Sequence, residues 1–188
     1  MGEPKRKATY DDVLAAPEHK VAEILDGELF LSPRPATPHA RATTGLVGAL
    51  LGSYDGEPGD PARPGGWWFL GEPELHFGDD VLVPDIAGWR RDHLPRIPNA
   101  PWIEVAPDWL CETLSPSTAT IDRSRKLRIY ARASVACVWL LDPLAHTLEV
   151  LTLESGRWVV TDVHAGDASV RAEPFPALEL SLARLWLD

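Results

Sequence analysis

Residues 109–142, WLCETLSPSTATIDRSRKLRIYARASVACVWLLD, place an apolar strand-like run, a basic helix-like segment and a second apolar run in succession. In the first run Leu110, Glu112 and Leu114 fall on one face and Cys111 and Thr113 on the other, because side chains alternate along a strand. A glutamate between two leucines on its own face is out of keeping with plain core packing. An isolated buried carboxylate is costly, so Glu112 must be paired, metal-bound or protonated. From Thr118 to Arg132 the pattern predicts a helix with Ile121, Leu127, Ile129 and Tyr130 as its apolar members and basic residues on the rest. VACVWLLD predicts the next strand.

Upstream, VLVPDIAGW (81–89) predicts a strand carrying Asp85, and a loop over roughly 91–107 with four prolines leads from it to the Glu112 strand. If those two strands are neighbours, both carboxylates project at one edge of a sheet. WWFL and PELHF predict further strands, with a turn at Gly78-Asp79-Asp80. Near the start, Thr9 caps a short helix ending near Pro17, and VAEIL and ELFLS flank Asp26-Gly27, a pair favoured in two-residue hairpins. A longer helix opens at Pro38 with Thr37 as its cap, an apolar stripe of Leu46, Val47, Leu50 and Leu51, and an end near Asp55-Gly56. Residues 55–66 are a surface loop; TLEVLTL and WVVTDV pair through Ser155-Gly156, and SLARLWL closes the chain as a short helix. The whole predicts one mixed α/β domain over 1–188, with two main helices and roughly eight strands but without strict βαβ repetition.

A chain of 188 residues can bury a core without disulfides or structural metal. Cys111 and Cys137 both lie in apolar runs, without the paired spacing of a zinc site, and are read as small core side chains. The six histidines form no HExxH cluster. No run of about 18 uncharged apolar residues predicts a membrane span, and MGEPKRKATYDD has no apolar stretch behind its basic residues, so a cytoplasmic protein is expected. Arg6 stands where a myristoylation signal wants Ser or Thr. The net charge of −10 argues against extended binding to a polyanion. Charge is uneven, however: Arg123, Arg125, Lys126, Arg128 and Arg132 crowd ten residues, a strip able to hold a few phosphates.

Asp85 and Glu112 suit Mg²⁺, which takes one or two carboxylates and keeps several waters. Lys126 stands four residues after Asp122, so the two share a helix face; they form either an ordinary surface ion pair or part of the same site.

AEILDGEL, LSPRPATPH, VPDIAGWRR and ETLSPSTATIDRSRKLRIYARASVACVWLLDP together resemble the Uma two family of restriction-endonuclease-like proteins, within the PD-(D/E)XK nuclease superfamily. The resemblance runs over nearly the whole chain and implies a mixed central sheet flanked by helices, with additional β-hairpins. It makes Asp85 the metal-binding aspartate of the PD motif and Glu112 the acid of the next motif. The superfamily's usual lysine would fall at Leu114; family members resemble variants in which a helix supplies it, and Lys126 matches that place. Glu23 matches an acidic position near the N-terminus, open also to a strand-edge salt bridge, and His39 matches a histidine opening the long helix, open also to a surface role. After Tyr130 the family shows a glycine turn, where this chain reads ARASVACVW.

The implied activity is hydrolysis of DNA phosphodiesters with Mg²⁺ or Mn²⁺, using Asp85, Glu112 and Lys126, with Glu23, His39 and Asp122 as accessories. The alternative is an inactive interaction module that keeps the fold. A homodimer would set two sites against the two strands of a duplex, and ACVWLL belongs either to that interface or to a central buried strand.

Overall fold

The computed structural model describes residues 6–59 and 63–187. The readings of the first five residues and of positions 60–62 in the Gly- and Pro-rich loop lie outside these. Thr9 precedes helix α1 (Tyr10–Leu14), and strands β1 (Lys20–Leu25) and β2 (Glu28–Pro33) form the expected hairpin. Asp26 (φ 54°) and Gly27 (φ 79°) make its turn, the pair of positive φ angles that a two-residue hairpin with native twist requires. Helix α2 (Thr37–Tyr54) starts at Thr37, one residue earlier than expected, so that Ala36 and not Thr37 is its cap. It buries Ala42, Leu46, Leu50 and Tyr54, a stripe of strict four-residue spacing; Leu51, expected inside, is exposed.

The 81–89 run is not one strand. It divides into β5 (Asp80–Leu82), which pairs with β1 and β4 (Leu75–Phe77), and β6 (Ile86–Arg90), which pairs with β3 (Trp67–Gly71) and β7 (Trp109–Thr113). Pro84 has no N–H to give to a ladder, and here the chain passes from one sheet to the other. The two sheets therefore share the segment that carries Asp85.

The large sheet runs β10–β9–β8–β7–β6–β3, where β8 is Cys137–Asp142, β9 Thr147–Glu154 and β10 Arg157–Ala165. Every pairing in it is antiparallel except β7 with β8, the two strands joined through the basic helical segment. The small sheet runs β2–β1–β5–β4, and β11 (Ser169–Val170) with β12 (Leu180–Ser181) form a third, which the sequence reading missed. The closing SLARLWL stretch is a single 3₁₀ turn at Leu182–Arg184.

Alternation along β7 and β8 feeds two cores. Trp109, Cys111, Trp139 and Leu141 pack with Leu46, Leu50 and Phe175 on one face; Leu110, Leu114, Val138 and Leu140 pack with Leu127 and Tyr130 on the other. Cys111 and Cys137 are buried free thiols. The ACVWLL run is the buried strand between β7 and β9, so burial within the chain accounts for its apolar character. No helix among the described residues is long and apolar enough to cross a membrane.

The basic segment comprises α3 (Ala119–Ile121), a π turn (Asp122–Lys126) and α4 (Leu127–Arg132). At its end the N–H of Val135 donates to the carbonyl of Tyr130, and Ser134, at the turn, adopts φ 63°. A side chain in this left-handed region costs about 1–2 kcal/mol, which glycine avoids. Ser134 is exposed, so Ser134→Gly should stabilise the fold by about 1 kcal/mol, read as a higher urea midpoint at unchanged slope. A lower midpoint would contradict this account of the turn.

Candidate active site

β6 and β7 are neighbours with Ile86 opposite Cys111, which puts Asp85 and Glu112 one step further along the same ladder. Asp85 Oδ2 accepts from the Thr113 N–H at 2.7 Å, fixing the aspartate across the strand gap. Its Oδ1 lies 3.1 Å from His39 Nε2, contributed by the first turn of α2. Burial pushes the His39 imidazole down, but the hydrogen bond and charge of Asp85, aided by Asp122 and Glu72, leave it above its ordinary value. His39 is thus a partly buried partner of Asp85 rather than a free surface residue.

Lys126 is buried, contrary to a surface ion-pair reading. Its amine lies 2.8 Å from Glu112 Oε1, 3.0 Å from Glu23 Oε1 and 3.7 Å from Asp122 Oδ1. Glu23 comes from β1 in the small sheet and also accepts from the Val83 N–H at 2.8 Å. One ammonium therefore ties the small sheet, the large sheet and the helical segment together. Burial disfavours the charge on Lys126, yet Glu112 and Glu23 outweigh it and hold the pKa well above the ordinary value. Burial likewise pushes the Glu112 carboxyl well up, against the pull of Lys126, and the surrounding carboxylates add to the rise. Burial is the larger cause for Glu112, and the surplus of acids over the single amine adds to it while keeping Lys126 charged.

Tyr130, read from sequence as an apolar helix member, donates its hydroxyl to Glu112 Oε1. Its ring packs in the core while its oxygen reaches the site, and only the tyrosine-for-phenylalanine choice at that position carried a signal. A cavity of about 250 Å³ is lined by Glu23, Asp85, Glu112, Asp122 and Lys126, with His39 on its wall. Ser115 and Thr118 of the SPST turn, and Arg34 after β2, also line it and were not singled out in the sequence.

The basic strip does not face this cavity as a phosphate cradle. Arg123 pairs with Glu149, Arg125 with Glu28, Arg128 with Asp26, and Arg132 with Asp26 and Asp80. The four guanidinium groups link the helical segment to the first hairpin, to β5 and to β9. Of the expected basic cluster, Lys126 alone lines the cavity.

The donor set fits a hard cation. Its groups are carboxylate oxygens, and Asp122 Oδ2 is a buried acceptor without a hydrogen-bond partner on the cavity wall. No three Asp, Glu, His or Cys side chains among the described residues stand at ligand spacing around one point. Mg²⁺ requires fewer, since one or two carboxylates plus water satisfy it.

The sheet thus presents Asp85 and Glu112 side by side, and the helical segment brings Lys126 to Glu112. The family model described as "Uma2: Putative restriction endonuclease" matches residues 8–183, and the chain belongs to that family. Among solved structures, one described as "a putative nuclease belonging to DUF820" from Anabaena variabilis ATCC 29413 is 26% identical. The similarity covers 95% of this chain and 97% of that one, with a TM-score of 0.73. No curated protein matches the chain.

Proposed function

We propose that the protein is a Mg²⁺- or Mn²⁺-dependent endonuclease acting on DNA. The observation that carries this reading is the meeting of Glu112 and Lys126 at 2.8 Å in a cavity that Asp85 also lines. Asp85 and Glu112 would hold the cation, which when bound would offset phosphate charge and make water more acidic. Asp85 is oriented for this by the Thr113 N–H and His39, and Glu112 by Tyr130. Lys126 is a fixed ammonium whose charge meets the negative charge that builds on the phosphoryl oxygens during in-line attack. The low exposure of Lys126 and Glu112 reduces screening by water, so each charge acts more strongly than on the surface.

The test is purified protein with plasmid and with single-stranded DNA, in Mg²⁺ or Mn²⁺ and again with a chelator. Cleavage is expected with metal and none with the chelator. Cleavage that persists unchanged in the chelator would refute the assignment. The rival reading, an inactive binding module, draws on the paired arginines and the acidic net charge. Calorimetry with Mn²⁺ separates the two: heat lost in Glu112→Ala supports the nuclease, and no heat in either protein supports the module.

A further inference from the structure

With the helix arginines engaged, the cavity has one other guanidinium beside it. Among its described lining residues Arg34 is the single arginine, with a side chain 58% exposed against 4% for Lys126. Its present contacts are loose: 3.9 Å to Glu72 Oε2, and 3.3 Å to the carbonyl of Glu18. By comparison Arg125 holds Glu28 at 2.7 Å, and Arg132 holds two carboxylates at 2.9 Å each. Arg34 also lies between Pro33 and Pro35, and a following proline confines the backbone to extended conformations. The arm is thus held at its root while its head is free to exchange partners.

The same lining carries hydroxyls. Ser115 Oγ is 3.0 Å from both Ser117 Oγ and Thr118 Oγ1, and the Thr118 hydroxyl also bonds to the Asp122 carboxylate. Hydroxyls that can turn from each other to an incoming oxygen, beside an exposed planar guanidinium, are the donors a phosphate takes. We propose that Arg34, with the Ser115 and Thr118 hydroxyls, forms a subsite for a backbone phosphate of the nucleic-acid strand next to the one entering the cavity. The inference rests on the nuclease reading and adds to it a count of contacts. Arg123, Arg125 and Arg132 are held by carboxylates, and Arg128, which reaches Asp26 at 3.4 Å, does not line the cavity, so few phosphates are gripped at this site. Each phosphate neutralised contributes about 0.7 (single strand) to 0.9 (duplex) to the slope of log affinity against log salt. A slope of magnitude about 1–2 is expected, well below that of proteins making about 6–10 phosphate contacts.

The experiment is fluorescence anisotropy of labelled single-stranded and hairpin DNA across a salt series, with Ca²⁺ in place of Mg²⁺ to suppress cleavage. Arg34→Ala is expected to weaken binding about tenfold and to flatten the slope by about 0.7–0.9, with Arg34→Lys intermediate. Its melting temperature and its Mn²⁺ affinity by calorimetry should match the parent. If Arg34→Ala binds with parental affinity and slope while the parent protein cleaves DNA with metal, the subsite is refuted and the nuclease reading stands. A parental slope steeper than about 4 refutes the small contact count. If the parent neither binds nor cleaves DNA with metal, both fall together.

Discussion

Lys126→Met is expected to remove about 3–5 kcal/mol of folding stability, the cost of leaving buried charge without its partner. The amine pairs with Glu112 and Glu23 at once and joins two sheets through them. Both carboxylates are almost wholly buried, so water cannot take over the role of the amine. A domain holds roughly 5–15 kcal/mol in total, so the variant should melt far lower or fail to fold. At about 2–4 °C per kcal/mol the drop is on the order of 6–20 °C. Adding Glu112→Gln should restore part of the loss, because one of the uncompensated charges is then gone. Urea and thermal unfolding of the single and double variants measure both effects. A Lys126→Met midpoint within about 1 kcal/mol of the parent would mean the amine is not the tie described here.

Asp85→Asn should do the reverse: cleavage falls by about 10²–10³-fold or more while the fold is kept. The amide oxygen of asparagine can still accept from the Thr113 N–H, so the contact across the strand gap survives. What is lost is a negative donor for the cation. Asp85 is also only partly buried, which limits the change in stability. The paired readout is single-turnover cleavage with Mn²⁺ and the melting temperature of the same preparation. Parental cleavage rates in Asp85→Asn would remove the aspartate from the proposed chemistry.

Local chemistry in the sequence carried most of the elements. Asp26-Gly27, Ser155-Gly156 and the Gly78 turn announced their hairpins because few residue pairs tolerate positive φ. Glu112 between two leucines announced a buried carboxylate, and Lys126 was recovered through a family resemblance rather than from spacing. What periodicity could not carry was partnership over long separations. The VLVPDIAGW run looks like one strand because Pro84 is a single residue, yet the chain changes sheets there. The arginines of the helix looked like a phosphate-binding strip because Asp26, Glu28, Asp80 and Glu149 lie far from them in the chain. Tyr130 looked like core because its ring is core; only the hydroxyl is not.

The π turn at Asp122–Lys126 has a consequence for how this chain can vary. Its signature is the N–H of Leu127 donating to the carbonyl of Asp122, five residues back, so the turn holds one residue more than a regular coil would. Excising one residue there would turn that bond into a regular four-residue one, so the helical turns on either side would keep their register. The stretches on both sides would stay seated, and only the spacing between Asp122 and Lys126 inside the turn would change. Single-residue changes of length would accordingly be absorbed within these five positions as well as in the loops at either end of the segment.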